Sequence, residues 1–239
     1  MGEPGVPALL AVAHGTRSAE GAATAGRLLA RVRELRPWLP VHGAFAEISA
    51  PRLEDALDGL AGAPVVAVPL LLARGYHALI DIPGRVERRR PDAVPGRPLG
   101  PHGLLAEALA ARLREAAAPR AGDAVVLAAP GSSDPAGVAD VRAAARLLGR
   151  RLRRPVLCGF VASGGPSLRA TVAAARANGA RRVLVASYVL APGEFHTRMT
   201  KADADAVAAP LGAHDTVARL LLRRYDEARR RTQTMIPVP

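Results

Sequence analysis

The sequence is short of cysteine and of aromatic residues, and each shortage excludes a class of protein. A single cysteine, Cys158, among 239 residues excludes an internal disulfide framework and any zinc or iron–sulfur site built from cysteines. This cysteine content favours a reducing compartment, and we expect the cytoplasm. Aromatic residues make up only 3% of the chain, so the core must be built from alanine, leucine and valine.

No segment has the pattern of an export signal or of a membrane helix. The first ten residues, MGEPGVPALL, contain no basic residue and no continuous apolar run. The longest uncharged stretch, residues 59–73, is interrupted by Pro64 and Pro69. It is also shorter than the ~20 residues that a spanning helix needs. We therefore expect no membrane association.

The chain is strongly basic, with 33 lysine and arginine residues against 21 acidic ones and a net charge of +12. Only Lys201 is a lysine, and the bias towards arginine, alanine, glycine and proline is typical of a high-GC coding sequence. The remaining charge favours an anionic partner, such as a small polycarboxylate or phosphate. Nucleic acid is disfavoured, because the arginines are scattered and no stacking aromatic residues lie between them.

An internal repeat organises nearly the whole chain. The aligned pairs of segments are residues 9–15 with 125–131, 45–53 with 160–168, and 98–116 with 210–228. The repeat predicts two copies of one unit, residues 1–118 and residues 119–239, joined near residues 117–122. We expect the first unit to carry the active site and the second, a diverged duplicate, to close a cleft.

Each copy alternates short aliphatic runs with segments of helical periodicity. The predicted strands are residues 9–13, 41–46, 65–71 and 94–99 in the first copy, and 124–129, 156–161, 183–188 and 207–211 in the second. Such alternation, with continuously apolar strands, predicts α/β lobes whose four-stranded parallel sheets have helices on both faces. Residues 229–239 are expected to be a frayed tail.

Candidate functional residues follow the strands of the first copy, where ligands bind in open parallel sheets. His14 and Glu47 follow the first and second strands, and His77 follows the third. Each of these residues alone is better explained as a turn, loop or capping residue. Together they place two imidazoles and a carboxylate at one edge, which suits Fe²⁺, Co²⁺, Ni²⁺ or Zn²⁺, or general base catalysis.

The second copy has diverged at these positions. Pro130 replaces His14, and an alignment anchored on the phenylalanines places Ala162 opposite Glu47. Only His196 persists opposite His77, with one residue inserted. His102 and His214 occupy equivalent positions before the last helix of each copy, and we interpret both as helix-start residues.

Three segments in this order resemble the class II tetrapyrrole chelatases, the sirohydrochlorin chelatases of siroheme and cobalamin biosynthesis. They are Ala-His14-Gly-Thr-Arg17, Phe45-Ala-Glu47-Ile-Ser-Ala-Pro51, and Val68-Pro-Leu-Leu-Leu followed by Gly75-Tyr-His77 and Asp81-Ile-Pro83. The resemblance implies two flavodoxin-like lobes with the tetrapyrrole between them. It also implies His14, His77 and Glu47 as catalytic and metal-binding residues. Candidate substrate-binding residues are Thr16, Arg17, Arg74, Tyr76 and His196.

The resemblance predicts an enzyme, a lyase of porphyrin biosynthesis that inserts a divalent metal into sirohydrochlorin without an organic cofactor. Fe²⁺ is favoured because the chain lacks the histidine-rich segment of some cobalt-handling relatives, and Co²⁺ is the alternative. A non-catalytic metal or tetrapyrrole carrier on the same scaffold is a second hypothesis, and a nucleic-acid binder is a third. Because both lobes belong to one chain, we expect a monomer.

Overall fold

The computed structural model describes residues 5–234, which form eight strands and eight α-helices. The first half contains β1 (Ala8–Ala13), α1 (Ala19–Leu35), β2 (Val41–Phe45), α2 (Leu53–Asp58), β3 (Val65–Pro69), a π-helical turn (His77–Asp81), α3 (Ile82–Arg89), β4 (Val94–Pro95) and α4 (Gly103–Ala116). The second contains β5 (Ala124–Gly131), α5 (Pro135–Leu152), β6 (Leu157–Ser163), α6 (Leu168–Ala177), β7 (Val183–Ser187), α7 (Glu194–Thr200), β8 (Ala206–Val207) and α8 (Asp215–Thr234).

The strands form two separate four-stranded sheets of identical order, β2-β1-β3-β4 and β6-β5-β7-β8. Every pairing is parallel, which confirms the predicted fold class. The order is that of the first four strands of flavodoxin-like sheets. β4 is shorter than predicted because Pro95 and Pro98 have no N–H group to donate to a neighbouring strand.

Successive residues of the central strands face two different hydrophobic cores, as the alternation of side chains along a strand requires. In β1, Leu10 and Val12 pack with the outer helices α2 and α3. Leu9 and Ala11 instead belong to a core that includes residues of both halves. The sheets therefore lie on either side of a shared layer formed by α1, α4, α5 and α8.

The last helix of each half packs on the sheet of the other half. α4 contacts α5, β7 and β8, whereas α8 contacts α1, β3 and β4. The buried Arg224 of α8 donates hydrogen bonds to the carbonyls of Pro98 and Leu99 at 2.8 and 3.1 Å. The inner face of each sheet is thus fully covered only in the presence of the opposite half. The division of the chain into two lobes, residues 1–118 and 119–239, stays a prediction.

α8 continues to Thr234, so the expectation of a frayed tail from Arg229 was wrong for residues 229–234. The helix continues because it lies on the first sheet, where Arg231 donates to the carbonyl of Pro95 at 2.9 Å. The rest of the predicted tail, residues 235–239, lies outside the described residues. Within residues 5–234, none of the helices is both long and apolar enough to cross a bilayer.

His102 and His214 begin the two exchanged helices, which confirms their interpretation as helix-start residues. Nδ1 of His102 accepts a hydrogen bond from the N–H of Leu104 at 3.1 Å, and Nδ1 of His214 accepts one from Thr216 at 3.2 Å. Burial, and secondarily Arg224, lowers the pKa of His102, and burial followed by Arg112 lowers the pKa of His214. Both rings therefore cap their helices as neutral imidazoles.

We predict that these two caps make the protein less stable below about pH 6.5. A histidine whose folded-state pKa is lowered contributes its full stability above the unfolded value of about 6.5. That contribution is lost as the pH falls through the lower folded-state pKa. Urea unfolding at pH 7.5 and 5.5 measures the loss of unfolding free energy in the native protein and in the double variant His102→Asn, His214→Asn. Asparagine keeps a cap without titrating, so the variant should lose less stability than the native protein over this range. Equal losses would contradict the prediction.

Candidate active site

A cleft of about 640 Å³ lies between the two halves at the carboxyl ends of both sheets. The first half contributes residues at and after the ends of β1 and β3, together with Phe45 at the end of β2. The second half contributes residues at and after the ends of β5 and β7, together with Ala162 and Ser163 at the end of β6. Polar or titratable side chains along its wall include His14, Thr16, Arg74, Tyr76, His77, Ser132, Ser133 and Ser163. The cleft is therefore located where the parallel topology predicts a ligand site.

The loops after β1 and β2 are held in direct contact by a glycine. Gly15 has a φ of +111°, and a Cβ at this position would lie 1.9 Å from the carbonyl oxygen of Glu47. The N–H of Glu47 in turn donates to the carbonyl of His14 at 2.8 Å. Only glycine allows this approach, which places the side chains of His14 and Glu47 on neighbouring loops.

The loop that follows Glu47 is fixed by a serine and carries backbone strain. Ser49 Oγ accepts the N–H of Thr16 at 3.1 Å and donates to the carbonyl of Thr16 at 2.9 Å. Ile48, an exposed β-branched residue, has a φ of +62°, a conformation that costs free energy for such a side chain. Strain of this kind is concentrated at functional sites, where the surrounding contacts impose it.

His77 completes the predicted group of three residues and begins the π-helical turn. Its ring centroid lies 4.5 Å from that of His14, and its Nε2 lies 4.0 Å from Oε1 of Glu47. The structure therefore brings together the two imidazoles and the carboxylate that the sequence predicted. Across residues 5–234, no set of three or more histidine, cysteine, aspartate or glutamate side chains is already arranged to hold a metal ion.

A second carboxylate contacts His77 from within the same turn. Nδ1 of His77 lies 3.0 Å from Oδ2 of Asp81, and Arg85 Nη1 lies 3.6 Å from the same oxygen. Arg85 also donates to both carboxylate oxygens of Glu54, at 2.7 and 2.8 Å, and to the carbonyl of Ala46 at 2.8 Å. The hydrogen bonds from Arg85 lower the pKa of Glu54. This network links the turn that carries His77 to the strand end that carries Glu47.

Arg74, a predicted substrate-binding residue, lies on the cleft wall but is engaged by the second half. The carboxylate of Asp140, whose side chain is 5% exposed, accepts the backbone N–H of Arg74 at 2.8 Å. It also accepts hydrogen bonds from Nε and Nη2 of the guanidinium at 2.8–3.1 Å. Tyr188 adds a further contact between the halves, since its hydroxyl donates to the carbonyl of Leu72 at 2.7 Å. Burial raises the pKa of Tyr188, which keeps this donor protonated.

The other predicted substrate-binding residues differ in their relation to the cleft. Thr16 and the exposed Tyr76 line it, although the hydroxyl of Thr16 accepts the N–H of Ser18 at 3.0 Å. Arg17 is exposed beside the cleft lining, and His196 is outside the lining as well. The ring of His196 instead lies 3.2 Å from the carbonyl of Ala208.

The structural register of the second half corrects one sequence alignment. A bulge after Ala129 pairs Gly131 with Ser163, and a Cβ on Gly131 would lie 1.9 Å from the Ser163 carbonyl. Ser163, rather than Ala162, therefore occupies the place of Glu47. The correspondence of His196 with His77 stays a prediction.

Sequence reasoning missed the roles of Asp81 and Asp140. Asp81 belongs to a recognised motif, and its spacing of four residues from His77 was the signal that could have revealed the contact. Asp140 lies 66 residues from Arg74, and no local pattern connects the two.

Comparison with known proteins identifies relatives of both halves. The CbiX family model matches residues 8–116 and again residues 124–228. A sirohydrochlorin ferrochelatase of Priestia megaterium is 30% identical over 232 residues, which are 90% of this chain and 87% of the relative. A sirohydrochlorin cobaltochelatase of the same organism is 26% identical over 215 residues, 83% of this chain and 69% of the relative. The solved structure of SirB from Bacillus subtilis with Fe³⁺ has a similar fold, with a TM-score of 0.81, 24% identity, and coverage of 96% of this chain and 98% of SirB.

We predict that Asp140→Ala destabilises the protein by about 1–3 kcal/mol, because it removes the acceptor of three buried or half-buried donors. Urea unfolding at neutral pH measures the change. Asp215→Ala is the matched control, since its bidentate pair with Arg31 also joins the halves but is half exposed. The control should cost less than about 1 kcal/mol. Equal losses of unfolding free energy in the two variants would contradict the prediction, because the burial of Asp140 would then contribute no extra stability.

Proposed function

Because the chain belongs to the CbiX family, we propose that it is a chelatase that inserts a divalent metal ion into sirohydrochlorin. Both relatives described above are named as sirohydrochlorin chelatases, and one of them is 30% identical over nearly the whole chain. The observation that carries the proposal is the convergence of His14, His77 and Glu47, of which the two histidines line the cleft and the carboxylate lies 4.0 Å from Nε2 of His77.

The three side chains match what metal insertion requires. The tetrapyrrole must lose two pyrrolic N–H protons, and the incoming metal must lose bound water. Neutral imidazoles are both ligands for divalent transition metals and proton acceptors near neutral pH. We therefore assign His14 and His77 to delivering the metal and accepting the protons. Glu47, whose carboxylate is exposed beside His77, holds the cation or takes protons onward to solvent.

The cleft suits a flat, polycarboxylate ligand that enters between the halves. Its walls are largely apolar, with Leu70, Leu72, Val189 and Leu190 among the lining residues. Sirohydrochlorin has an extended macrocycle that such walls can contact, and its carboxylates project from the edge. We propose Thr16, Arg17, Tyr76 and His196 as substrate-binding residues.

Arg74 is also retained as a proposed substrate-binding residue, but its charge is already balanced by Asp140. Its guanidinium is half exposed, so it can accept a further carboxylate partner only alongside that ion pair. The +12 net charge of the chain provides a general attraction for a polyanionic substrate.

We propose Fe²⁺ as the metal substrate and Co²⁺ as the alternative. One of the relatives described is named for each metal, and the ferrochelatase is the more similar of the two. The ligand types do not separate the metals, because imidazole and carboxylate bind both. No organic cofactor is needed for the exchange of protons for a metal ion. A cytoplasmic monomer that binds no nucleic acid completes the proposal.

The first prediction from this assignment is that His14→Ala lowers the rate of metal insertion by at least about 100-fold, because a ligand and proton acceptor is lost. Circular dichroism and urea unfolding should show that the fold is retained, since His14 is exposed. His42→Ala is the matched control, an exposed histidine on β2 outside the cleft lining. Full activity of the His14→Ala variant would overturn the assignment.

Anaerobic spectrophotometry of sirohydrochlorin tests the function itself. The purified protein is mixed with the metal-free tetrapyrrole, Fe²⁺ or Co²⁺ is added, and the loss of the metal-free spectrum is followed. Turnover above the spontaneous rate supports a chelatase, and the faster metal identifies the substrate. A shifted spectrum of bound tetrapyrrole without turnover would instead indicate a carrier.

A further inference from the structure

We infer that Asp81 is a positioning residue that fixes the orientation and tautomer of His77, leaving Nε2 of the ring unprotonated towards Glu47 and His14. The inference rests on the proposed function for its catalytic consequence. The assignment of the tautomer itself depends only on the geometry of the turn.

Asp81 and His77 are in direct contact within the π-helical turn. Oδ2 of Asp81 lies 3.0 Å from Nδ1 of the imidazole. An ionised carboxylate only accepts hydrogen bonds, so Nδ1 must be the protonated nitrogen. In the neutral ring, Nε2 then carries the lone pair, and this is the nitrogen that lies 4.0 Å from Oε1 of Glu47. A carboxylate behind a histidine is the usual device that fixes the tautomer of a metal ligand and increases its basicity.

Arg85 is the second group that contacts the carboxylate of Asp81. Nη1 of Arg85 lies 3.6 Å from Oδ2 of Asp81, and both side chains are only 17% exposed. Arg85 is itself held by two hydrogen bonds to Glu54 and by one to the carbonyl of Ala46. Ala46 directly precedes Glu47 in the chain. The guanidinium of Arg85 therefore connects Asp81, which contacts His77, to the backbone next to Glu47.

The carboxylate of Asp81 does not cap α3. Asp81 directly precedes α3, where an aspartate commonly caps the helix. Its side chain, however, makes no hydrogen bond to the first N–H groups of α3. Among the contacts described, the carboxylate is directed to His77 and Arg85.

The test compares Asp81→Met and Asp81→Asn with the native protein. Methionine removes the acceptor, whereas the amide oxygen of asparagine still accepts the Nδ1 proton. The ¹⁵N shifts of the His77 side chain, assigned with His77→Gln, report the tautomer at neutral pH. We expect the Nδ1–H tautomer in the native protein, its loss in Asp81→Met, and its partial retention in Asp81→Asn.

Insertion of Fe²⁺ or Co²⁺ provides the second measurement. Asp81→Met should lower kcat about 10- to 100-fold with little change in the KM for the tetrapyrrole, and Asp81→Asn should recover part of the loss. Asp58→Asn is the matched control, because this α2 carboxylate pairs with Arg89 of α3 away from the cleft. It should change neither kcat nor the tautomer.

Two results would overturn the inference: an unchanged tautomer in Asp81→Met, or a native kcat in that variant. If the methionine variant does not fold, Asp81→Ala takes its place with the same expected results. Failure of the proposed function gives a different result. The native protein would then lack chelatase activity, but the Nδ1–H tautomer of His77 would still be lost in Asp81→Met, and the positioning role of Asp81 would stand.

Discussion

The hydrogen bonds between Asp140 and Arg74 are the contact on which the geometry of the cleft depends. A carboxylate buried this deeply costs several kcal/mol in solvation unless its oxygens are satisfied, and here a backbone N–H and a guanidinium satisfy them. Because Asp140 belongs to α5 and Arg74 to the loop after β3, the contact holds the segment leading to His77 against the second half. Tyr188 reinforces it by donating to Leu72 in the same loop.

The exchange of α4 and α8 gives the two halves one shared core. Each helix covers the sheet of the half to which it does not belong in sequence, so separating the halves would expose apolar surface on both sheets. Such a core opposes large hinge motions, because the central layer would have to unpack. The side chains of His14, Glu47 and His77 lie on the loops at the carboxyl ends of the strands. A rigid frame with its reactive groups on loops is the arrangement expected of a site that must position a bulky ligand.

The two halves share a backbone but differ in their chemistry at two of the reactive positions. Pro130 and Ser163 in the second half stand where His14 and Glu47 stand in the first. Glycine persists at residues 15 and 131, because the close approach of the two loops is needed in both halves. Duplication therefore preserved the fold while the second half became a wall for the cleft, which explains why one half carries the proposed catalytic residues.

Local pattern alone determined the eight strands, the parallel sheets, the duplication, and the edge at which His14, Glu47 and His77 meet. These follow from short-range periodicity and from the rule that parallel strands present their carboxyl ends together. Only the tertiary structure decided the exchange of α4 and α8, the pairing of Asp140 with Arg74 and the bulge that places Ser163. It likewise decided the contact of Asp81 with His77. Most of these features arise from contacts between segments that are distant in the sequence. The contact of Asp81 with His77 arises from the geometry of the π-helical turn. A sequence pattern records which residues are present, whereas the packing of one segment on another decides which of their atoms meet.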